Sequence, residues 1–197
     1  MKALTVYCAS SERLDPAFRD AARTLGAELA RRSITLVYGG GRIGLMGEVA
    51  RAAREHGGRV VGVITRKLID LEQLDDECDE ILIVDTMRER KQLLAERGDG
   101  FVVLPGGIGT YEEFFEVLVG RQLGDHLKPI GVVNVQMYFD PLIAMMEHGI
   151  THRFIRPALS GLFHVDPDPL RVVEHMLTDA PKPTDLRDTL PMHCDGE

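Results

Sequence analysis

Two glutamates that follow a glycine-rich turn are the residues whose spacing most suggests chemistry. Four apolar residues end at Pro105, three glycines occupy the next four positions, and Glu112 and Glu113 follow two residues later. Glycine lets the backbone approach a ligand closely, and a helix N-terminus after such a turn presents free N–H groups and a partial positive charge that suit a phosphate. A phosphate cradle with acids beside it predicts chemistry on a phosphorylated substrate.

Helix capping accounts for both glutamates without any chemistry, and the sequence leaves that alternative open. Thr110 with Glu113 three residues later has the spacing of a capping box, which predicts a helix that begins at Thr110. Glu112, in the same predicted first turn, would complement the positive end of the helix dipole.

A second glycine turn, residues 39–44, fits the G-x-G-x-x-G pattern of dinucleotide sites. Its context argues against NAD. The turn follows the second predicted strand, and Thr65, Arg66 and Lys67 stand where an acid should bind the ribose. A mononucleotide or a sugar phosphate fits better, and simple strand–helix packing is the alternative without a ligand.

Arg90 is a candidate positive partner for these turns. Met87, Arg90 and Leu94 are spaced by three and four, so Arg90 shares a helix face with apolar residues. The spacing fits two interpretations equally: an arginine whose stem covers the core, and an arginine whose planar fork binds phosphate or aligns a carboxylate.

The elements that must position these residues alternate between strand and helix, which predicts a single-domain α/β fold, a doubly wound parallel sheet flanked by helices. Apolar runs predict six strands, near residues 3–8, 34–38, 60–64, 81–84, 101–104 and 129–135. Helical patterns predict helices near residues 16–32, 45–56, 86–97, from 110 onwards, 140–148 and 169–177. The place of the strand at 81–84 within the sheet stays open.

The turns after parallel strands meet at the carboxyl edge of the sheet, where ligands bind at the switch in strand order. Ser10 and Ser11 and both glycine turns should therefore converge on one crevice. Residues 65–80, with six acids from Asp70 to Asp79, predict a loop with one helical turn. A loop of this length inside a compact domain is more often functional than idle.

Composition excludes several classes of protein. The 197 residues are 44% hydrophobic and 27% charged, the balance of a soluble globular protein, and the net charge of -8 argues against nucleic acid. Neither a membrane span nor a signal peptide is apparent, so we expect a cytoplasmic protein. The three cysteines form no CxxC pair, the histidines are scattered, and no metal site is predicted. We expect a domain over residues 1–179 and a flexible tail over 180–197.

Residues 105–113 resemble PGGxGTxxE, the signature of the LOG family, cytokinin riboside 5′-monophosphate phosphoribohydrolases that are often mislabelled lysine decarboxylases. Residues 6–11 resemble the family's first-strand motif, with Ala9 in place of its usual glycine. Residues 39–47 resemble its second glycine motif, and residues 87–91 resemble M-H-x-R-K with Arg88 in place of the histidine. The match covers nearly the whole domain, and these motifs stand in the expected order.

The resemblance implies a Rossmann-like fold, a homodimer or larger assembly, no cofactor, and cleavage of a nucleoside 5′-monophosphate to free base and ribose 5-phosphate. By position it implies that Arg90 and Glu113 are the catalytic pair. The substrate contacts expected from the family motifs are Ser10, Gly40, Gly41, Gly44, Met46, Glu72, Lys91, Gly106, Gly107, Ile108, Gly109, Thr110, Tyr111 and Glu112. The rival functions are an AMP-preferring nucleosidase and a nucleotide-binding sensor or carrier without turnover.

Overall fold

A sheet of seven parallel strands runs through the centre of the computed structural model, which describes residues 1–178. The strands are β1 (Ala3–Tyr7), β2 (Thr35–Tyr38), β3 (Val60–Thr65), β4 (Glu80–Val84), β5 (Phe101–Val103), β6 (Ile130–Val133) and β7 (His164–Asp166). The predicted domain boundary near residue 179 and the predicted tail lie outside the described residues.

Six α-helices connect the strands and cover both faces of the sheet in this part of the chain. They are α1 (Pro16–Arg31), α2 (Gly44–Glu55), α3 (Met87–Arg97), α4 (Ile108–Leu123), α5 (Asp140–Thr151) and α6 (Pro169–Thr178). Buried side chains of α1, α2 and α6 pack on one face, and those of α3, α4 and α5 pack on the other. The predicted doubly wound α/β fold is confirmed.

The strand order is β4-β3-β2-β1-β5-β6-β7, so the chain builds outwards from β1 in one direction and then returns to build from β5 in the other. The switch in strand order therefore lies between β1 and β5, where a crevice opens at the carboxyl edge of such sheets. The strand that the sequence left unplaced, β4, is an edge strand.

Two predictions about elements need correction. The prediction of six strands is wrong, because a seventh, β7, pairs with β6 in parallel. The predicted helix start at Thr110 is also wrong: α4 begins at Ile108, and Gly107 in an extended conformation is its N-cap. The same capping-box spacing is confirmed at Thr86, whose hydroxyl accepts from the Glu89 N–H while the Glu89 carboxylate accepts from the Thr86 N–H.

Candidate active site

A crevice of about 330 Å³ opens at the carboxyl edge of the sheet, beside the switch point. It brings together side chains and backbone from the end of β1, the turn after β2, the acidic loop before β4, helix α3 and the start of α4. The predicted site residues that line it are Ser10, Met46, Glu72, Arg90, Gly107, Gly109, Thr110, Glu112 and Glu113. The convergence predicted from parallel topology is therefore present.

Arg90 reaches the floor of this crevice from α3, and its guanidinium is fixed by three acceptors. Its Nε donates to the Val63 carbonyl at 3.0 Å, while Nη2 donates to the Gly39 carbonyl at 2.8 Å and to Glu72 Oε2 at 3.1 Å. The Arg90 side chain is only 6% exposed. Of the two interpretations that the spacing allowed, the arginine in the crevice is the one the structure contains.

Gly39 shows why the second glycine turn has no room for a side chain. A Cβ at this position would lie 2.3 Å from Arg90 Nη2, so any larger residue would collide with the guanidinium. The turn therefore accommodates the buried arginine with its backbone carbonyl and leaves no room for a side chain.

Glu113 lies in the second turn of α4, because the helix begins two residues earlier than the sequence predicted. The first turn of α4 contains no acid, and the N-cap residue, Gly107, provides no side-chain hydrogen bond to the helix. The capping explanation for Glu113 and the first-turn dipole explanation for Glu112 are therefore wrong. The early N–H groups of α4 instead point their partial positive charge towards the crevice that Gly107, Gly109 and Thr110 line.

The carboxyl group of Glu113 has an unusual protonation equilibrium. Burial raises its pKa to about 7, because the attraction of Arg90 does not compensate for lost solvent and the carboxylate of Glu72 raises the pKa as well. Burial likewise raises the pKa of Glu72, against the opposing effect of its hydrogen bond to Arg90. A carboxyl group poised near neutral pH in a crevice is suited to proton transfer.

Glu72 stands on the acidic loop, which the backbone of the second glycine turn holds in place. The Arg42 N–H donates to the carbonyls of Glu72 and Gln73 at 3.2 and 2.8 Å, and the Asp75 N–H donates to the Gly40 carbonyl at 2.9 Å. A 3-10 turn at Arg66–Leu68 is the single helical turn that the sequence predicted here. The loop is thus an ordered wall of the crevice.

Asp75 anchors the same loop to the core, and no sequence pattern marked it among its acidic neighbours. The residue is 2% exposed. Its Oδ2 accepts from the Tyr38 hydroxyl at 2.8 Å and from Arg54 Nη1 at 2.7 Å. This buried pair ties the loop that carries Glu72 to β2 and α2.

Arg54→Leu is expected to lower the free energy of unfolding by about 3 kcal/mol, because it leaves the Asp75 carboxylate buried without its cation. Urea unfolding followed by circular dichroism measures this loss. Arg51→Leu is the matched control on the same helix: Arg51 is half-exposed and lies 3.9 Å from Glu48, so its loss should stay within about 0.5 kcal/mol. Equal losses in the two variants would contradict the anchoring role of Asp75.

Four predicted glycine contacts lie behind the crevice rather than in its lining. Gly40 packs against Val63 and Ile64 of β3, and Gly41 contacts Glu72 of the acidic loop. Gly44 packs against the Ser10 backbone, and Gly106 packs against the Thr110 side chain. At Gly44, with φ 61°, a Cβ would lie 2.4 Å from the carbonyl carbon of Ser10. These residues shape the walls through close backbone approach.

Three other predicted contacts lie outside the lining of the crevice. Lys91 Nζ pairs with Glu112 Oε1 at 2.8 Å and with Glu116 Oε2 at 3.0 Å. The Ile108 side chain is 83% exposed, and the Tyr111 ring packs edge-on against Phe139 in the core. None of these three is in the lining of the crevice within residues 1–178.

Tyr7 and Met87 line the crevice although neither was predicted to contact the substrate; both lie within segments that resemble family motifs. Tyr7 is the last residue of β1, and its ring stacks on Phe101 with the centroids 6.0 Å apart. Met87 is the first residue of α3. Tyr7 lies at the carboxyl end of one parallel strand, and Met87 begins the helix that follows another, β4. Such positions at the carboxyl edge of the sheet are the signal that could have identified both residues.

In the described part of the chain, no group of three histidines, cysteines or acids is arranged to hold a metal ion. His148 and His152, four residues apart, place their rings 4.3 Å from each other without forming such a group. Across residues 1–178, every helix is too short or too polar to cross a bilayer.

Comparison with protein families and curated proteins gives one consistent result. The family model described as "Possible lysine decarboxylase" matches residues 46–176. A probable cytokinin riboside 5′-monophosphate phosphoribohydrolase of Oryza sativa subsp. japonica is 47% identical over 163 residues, which are 83% of this chain and 72% of that protein. A cytokinin riboside 5′-monophosphate phosphoribohydrolase of Arabidopsis thaliana is 41% identical over 175 residues, 89% of this chain and 77% of that protein.

Solved structures share the fold at lower sequence identity. The molybdenum cofactor carrier protein from Chlamydomonas reinhardtii has a TM-score of 0.67 and 21% identity, covering 90% of this chain and 99% of its own. The molybdenum cofactor binding protein from Rippkaea orientalis has a TM-score of 0.68 and 17% identity, with the same coverage. At these identities the likeness shows the Rossmann-like architecture alone.

Proposed function

This chain belongs to the LOG family, and we propose that it hydrolyses the N-glycosidic bond of nucleoside 5′-monophosphates to release free base and ribose 5-phosphate. The observation that carries the proposal is one crevice in which Glu113 and the fixed guanidinium of Arg90 lie beside the uncapped start of α4. The names of the curated relatives support the same reaction. The decarboxylase description of the family model does not fit, because a pyridoxal enzyme needs a Schiff-base lysine and the crevice of the described residues has none in its lining.

The 5′-phosphate binds at the N-terminus of α4. Gly107, Gly109 and Thr110 line the crevice there, and the early N–H groups of the helix with its dipole favour an anion. Binding energy from this remote group holds the ribose in place and contributes to the chemical step.

Glu113 stabilises the transition state at the other end of the ribose. Breaking the bond between C1′ and the base nitrogen builds positive charge on the sugar, which a carboxylate beside it offsets. The same carboxylate accepts a proton from the attacking water, whose hydroxyl joins C1′. Glu113 then releases that proton, which ends on the leaving base nitrogen, so the carboxylate is restored and one water is consumed. Arg90 counters the raised pKa of Glu113 and so maintains the carboxylate form.

Ser10, Met46 and Glu72 form the remaining wall of the substrate site. Glu72 is held by Arg90 and by the backbone contacts of its loop, so its carboxylate is a fixed acceptor for ribose hydroxyls or for the base. Lys91 and Glu112 form an ion pair at the rim.

Incubation with AMP and with isopentenyladenosine 5′-monophosphate, followed by chromatography, tests the proposal. Release of isopentenyladenine at the higher rate supports the family's substrate. Release of adenine alone identifies the AMP-preferring nucleosidase. Tight binding of either nucleotide without release of base identifies the sensor and contradicts the proposed hydrolysis.

We also propose that the protein is a homodimer that packs through the outer face of α4. Ile108, Val119 and Leu123 recur on that face and are 83%, 45% and 45% exposed. Their spacing places them in one stripe along the whole helix, and such a stripe on a monomer's surface favours a protein contact.

Leu123→Glu is expected to convert the dimer to a monomer of 21.9 kDa, because a charge buried in an apolar contact loses its solvation without gaining a partner. Light scattering after size-exclusion chromatography measures the mass. Thr24→Glu places the same charge at an exposed position of α1. This control should leave the mass of the wild-type dimer unchanged. A wild-type mass of one chain would refute the dimer.

The cytoplasm is the compartment that we propose for this reaction. Cys8 and Cys78 are free thiols, as is usual for proteins kept in a reducing environment.

A further inference from the structure

Tyr138 contacts the glycine turn from behind, outside the crevice, whose lining does not include it. Its hydroxyl donates to the Gly106 carbonyl at 2.6 Å. A second, smaller cavity of about 150 Å³ lies on this side, lined by Tyr138, Phe18, Leu14 and the turn itself. The turn at Gly106 and Gly107 is therefore a thin partition, with the crevice in front and the tyrosine behind.

The segment that delivers Tyr138 adopts an unfavourable backbone conformation. Gln136 and Met137, neither of them glycine, have φ values of 51° and 58°, a left-handed conformation that residues with a side chain rarely adopt. The Asn134 side chain holds this segment, because its Oδ1 accepts from the Phe139 N–H at 2.7 Å and its Nδ2 donates to Asp140 at 2.8 Å. Strain of this kind persists only where the surroundings enforce it.

Aromatic contacts fix the tyrosine ring itself. Phe18 from α1 meets it edge-on with the centroids 5.8 Å apart, and Phe139 does so at 5.1 Å. The ring therefore has little freedom, and the position of its hydroxyl defines the position of the Gly106 carbonyl.

Peptide geometry transmits this contact to the crevice. The Gly106 carbonyl and the Gly107 N–H belong to one planar trans peptide, in which the two groups point in opposite directions. A carbonyl held towards Tyr138 behind the turn aims the Gly107 N–H forward, and Gly107 lines the crevice. Two adjacent glycines would otherwise leave this peptide free to rotate, because no side chain caps the helix at Gly107.

We propose that Tyr138 is a positioning residue for substrate phosphate: its hydroxyl orients the Gly106–Gly107 peptide so that the Gly107 N–H joins the first N–H groups of α4 in binding the anion. The proposal rests on the proposed function, since it takes the substrate to be a 5′-phosphate. Tyr138 itself does not touch the substrate.

Tyr138→Phe tests the proposal, because it removes the hydroxyl and keeps the ring. The Kd for inorganic phosphate, measured by titration calorimetry, should rise about tenfold, since one charge-assisted hydrogen bond to the anion is lost or misaligned. KM for the nucleotide should rise by a similar factor, with kcat within about twofold, since the effect lies in binding of the phosphate.

Ile34→Val is the matched control, because Ile34 directly precedes β2 at the end of that strand away from the crevice. Ile34 is 3% exposed, so this change costs stability comparable to that of one lost hydrogen bond. Phosphate affinity should stay at the wild-type value in this control. Unchanged phosphate affinity in Tyr138→Phe, or an equal loss in both variants, would overturn the proposal.

The calorimetric measurement separates this inference from the proposed reaction. Wild-type protein that binds phosphate, loses affinity on Tyr138→Phe and hydrolyses no nucleotide would refute the reaction and support the positioning role. If the wild type releases base, but the wild type and Tyr138→Phe bind phosphate equally well, the reaction would be supported and the positioning role refuted.

Discussion

Glu113→Gln is expected to reduce release of base from nucleoside 5′-monophosphates by about a thousandfold or more, while the fold is retained. The amide neither offsets the positive charge that develops on the ribose nor accepts a proton from water. Chromatographic measurement of kcat checks this. Glu116→Gln, an exposed residue on the same helix that pairs with Lys91, is the control and should stay within about threefold of wild type.

The same variant should be more stable than wild type above neutral pH. The pKa of Glu113 is about 7 in the folded protein and about 4.3 in an unfolded chain, so the folded state holds the proton more tightly. The stability that this provides is present below pH 4 and is lost as the pH rises through 7. Glutamine removes the free-energy cost of burying the ionised carboxylate. The free energy of unfolding at pH 8, measured by urea unfolding, should therefore rise by about 1–3 kcal/mol. A loss of stability at that pH would contradict the buried carboxyl group.

The pH profile of kcat/KM reports the same group. Activity should rise with pH through about 7, because the carboxylate is the active form. In Glu72→Gln the rise should move to lower pH, because Glu72 raises the pKa of Glu113 and partly neutralises Arg90. An unchanged midpoint would show that another group controls the profile.

Arg90→Lys is expected to lower kcat/KM by about a hundredfold or more, and Arg90→Ala by at least as much. Lysine keeps the charge, but its compact ammonium group cannot reach the Val63 carbonyl, the Gly39 carbonyl and the Glu72 carboxylate as the planar fork does. The crevice then loses the fixed position of Glu72 and the attraction that favours ionised Glu113.

Arg97→Ala is the control for this series, on the last turn of the same helix. Its guanidinium is 44% exposed and pairs with Glu80, so activity should stay within about twofold of wild type. Full activity in Arg90→Lys would show that the charge alone suffices, and full activity in Arg90→Ala would remove Arg90 from the mechanism. Circular dichroism confirms that each variant is folded.

The architecture follows from the sequence because strong periodic signals repeat along the chain. Apolar runs of four to six residues alternate with helical patterns, and that alternation alone predicts the parallel sheet and the meeting of both glycine turns at one edge. Strand β7 gave no such signal, since its residues His164–Asp166 are three in number and only partly buried. Its strand conformation depends on pairing with β6.

The two capping-box patterns show where local sequence stops being sufficient. Thr86 forms the motif as predicted, but Thr110 does not, because Gly107 takes the N-cap position two residues earlier than the pattern required. Thr110 is instead buried, and a Cβ on Gly106 would lie 2.1 Å from its Oγ1. The flexible glycines, rather than the threonine, determine where the helix begins.

The sequence predicted the main residues of the candidate site but not the residues that hold them in position. Both candidate catalytic residues could be named from motifs, but only the structure distinguished an arginine in the crevice from one covering the core. Asp75 and Tyr138 act on residues 37 and 32 positions away. Contacts of that range leave no pattern in one sequence, because nothing local depends on them.

The identity of the products tests the central claim most directly. Wild-type protein and Glu113→Gln are each incubated with a nucleoside 5′-monophosphate, and base and ribose 5-phosphate are measured together by chromatography. We predict equal amounts of the two products from the wild type and neither from the variant. Intact nucleotide after incubation with the wild type, or a nucleoside in place of ribose 5-phosphate, would contradict the assignment of this crevice as a phosphoribohydrolase site.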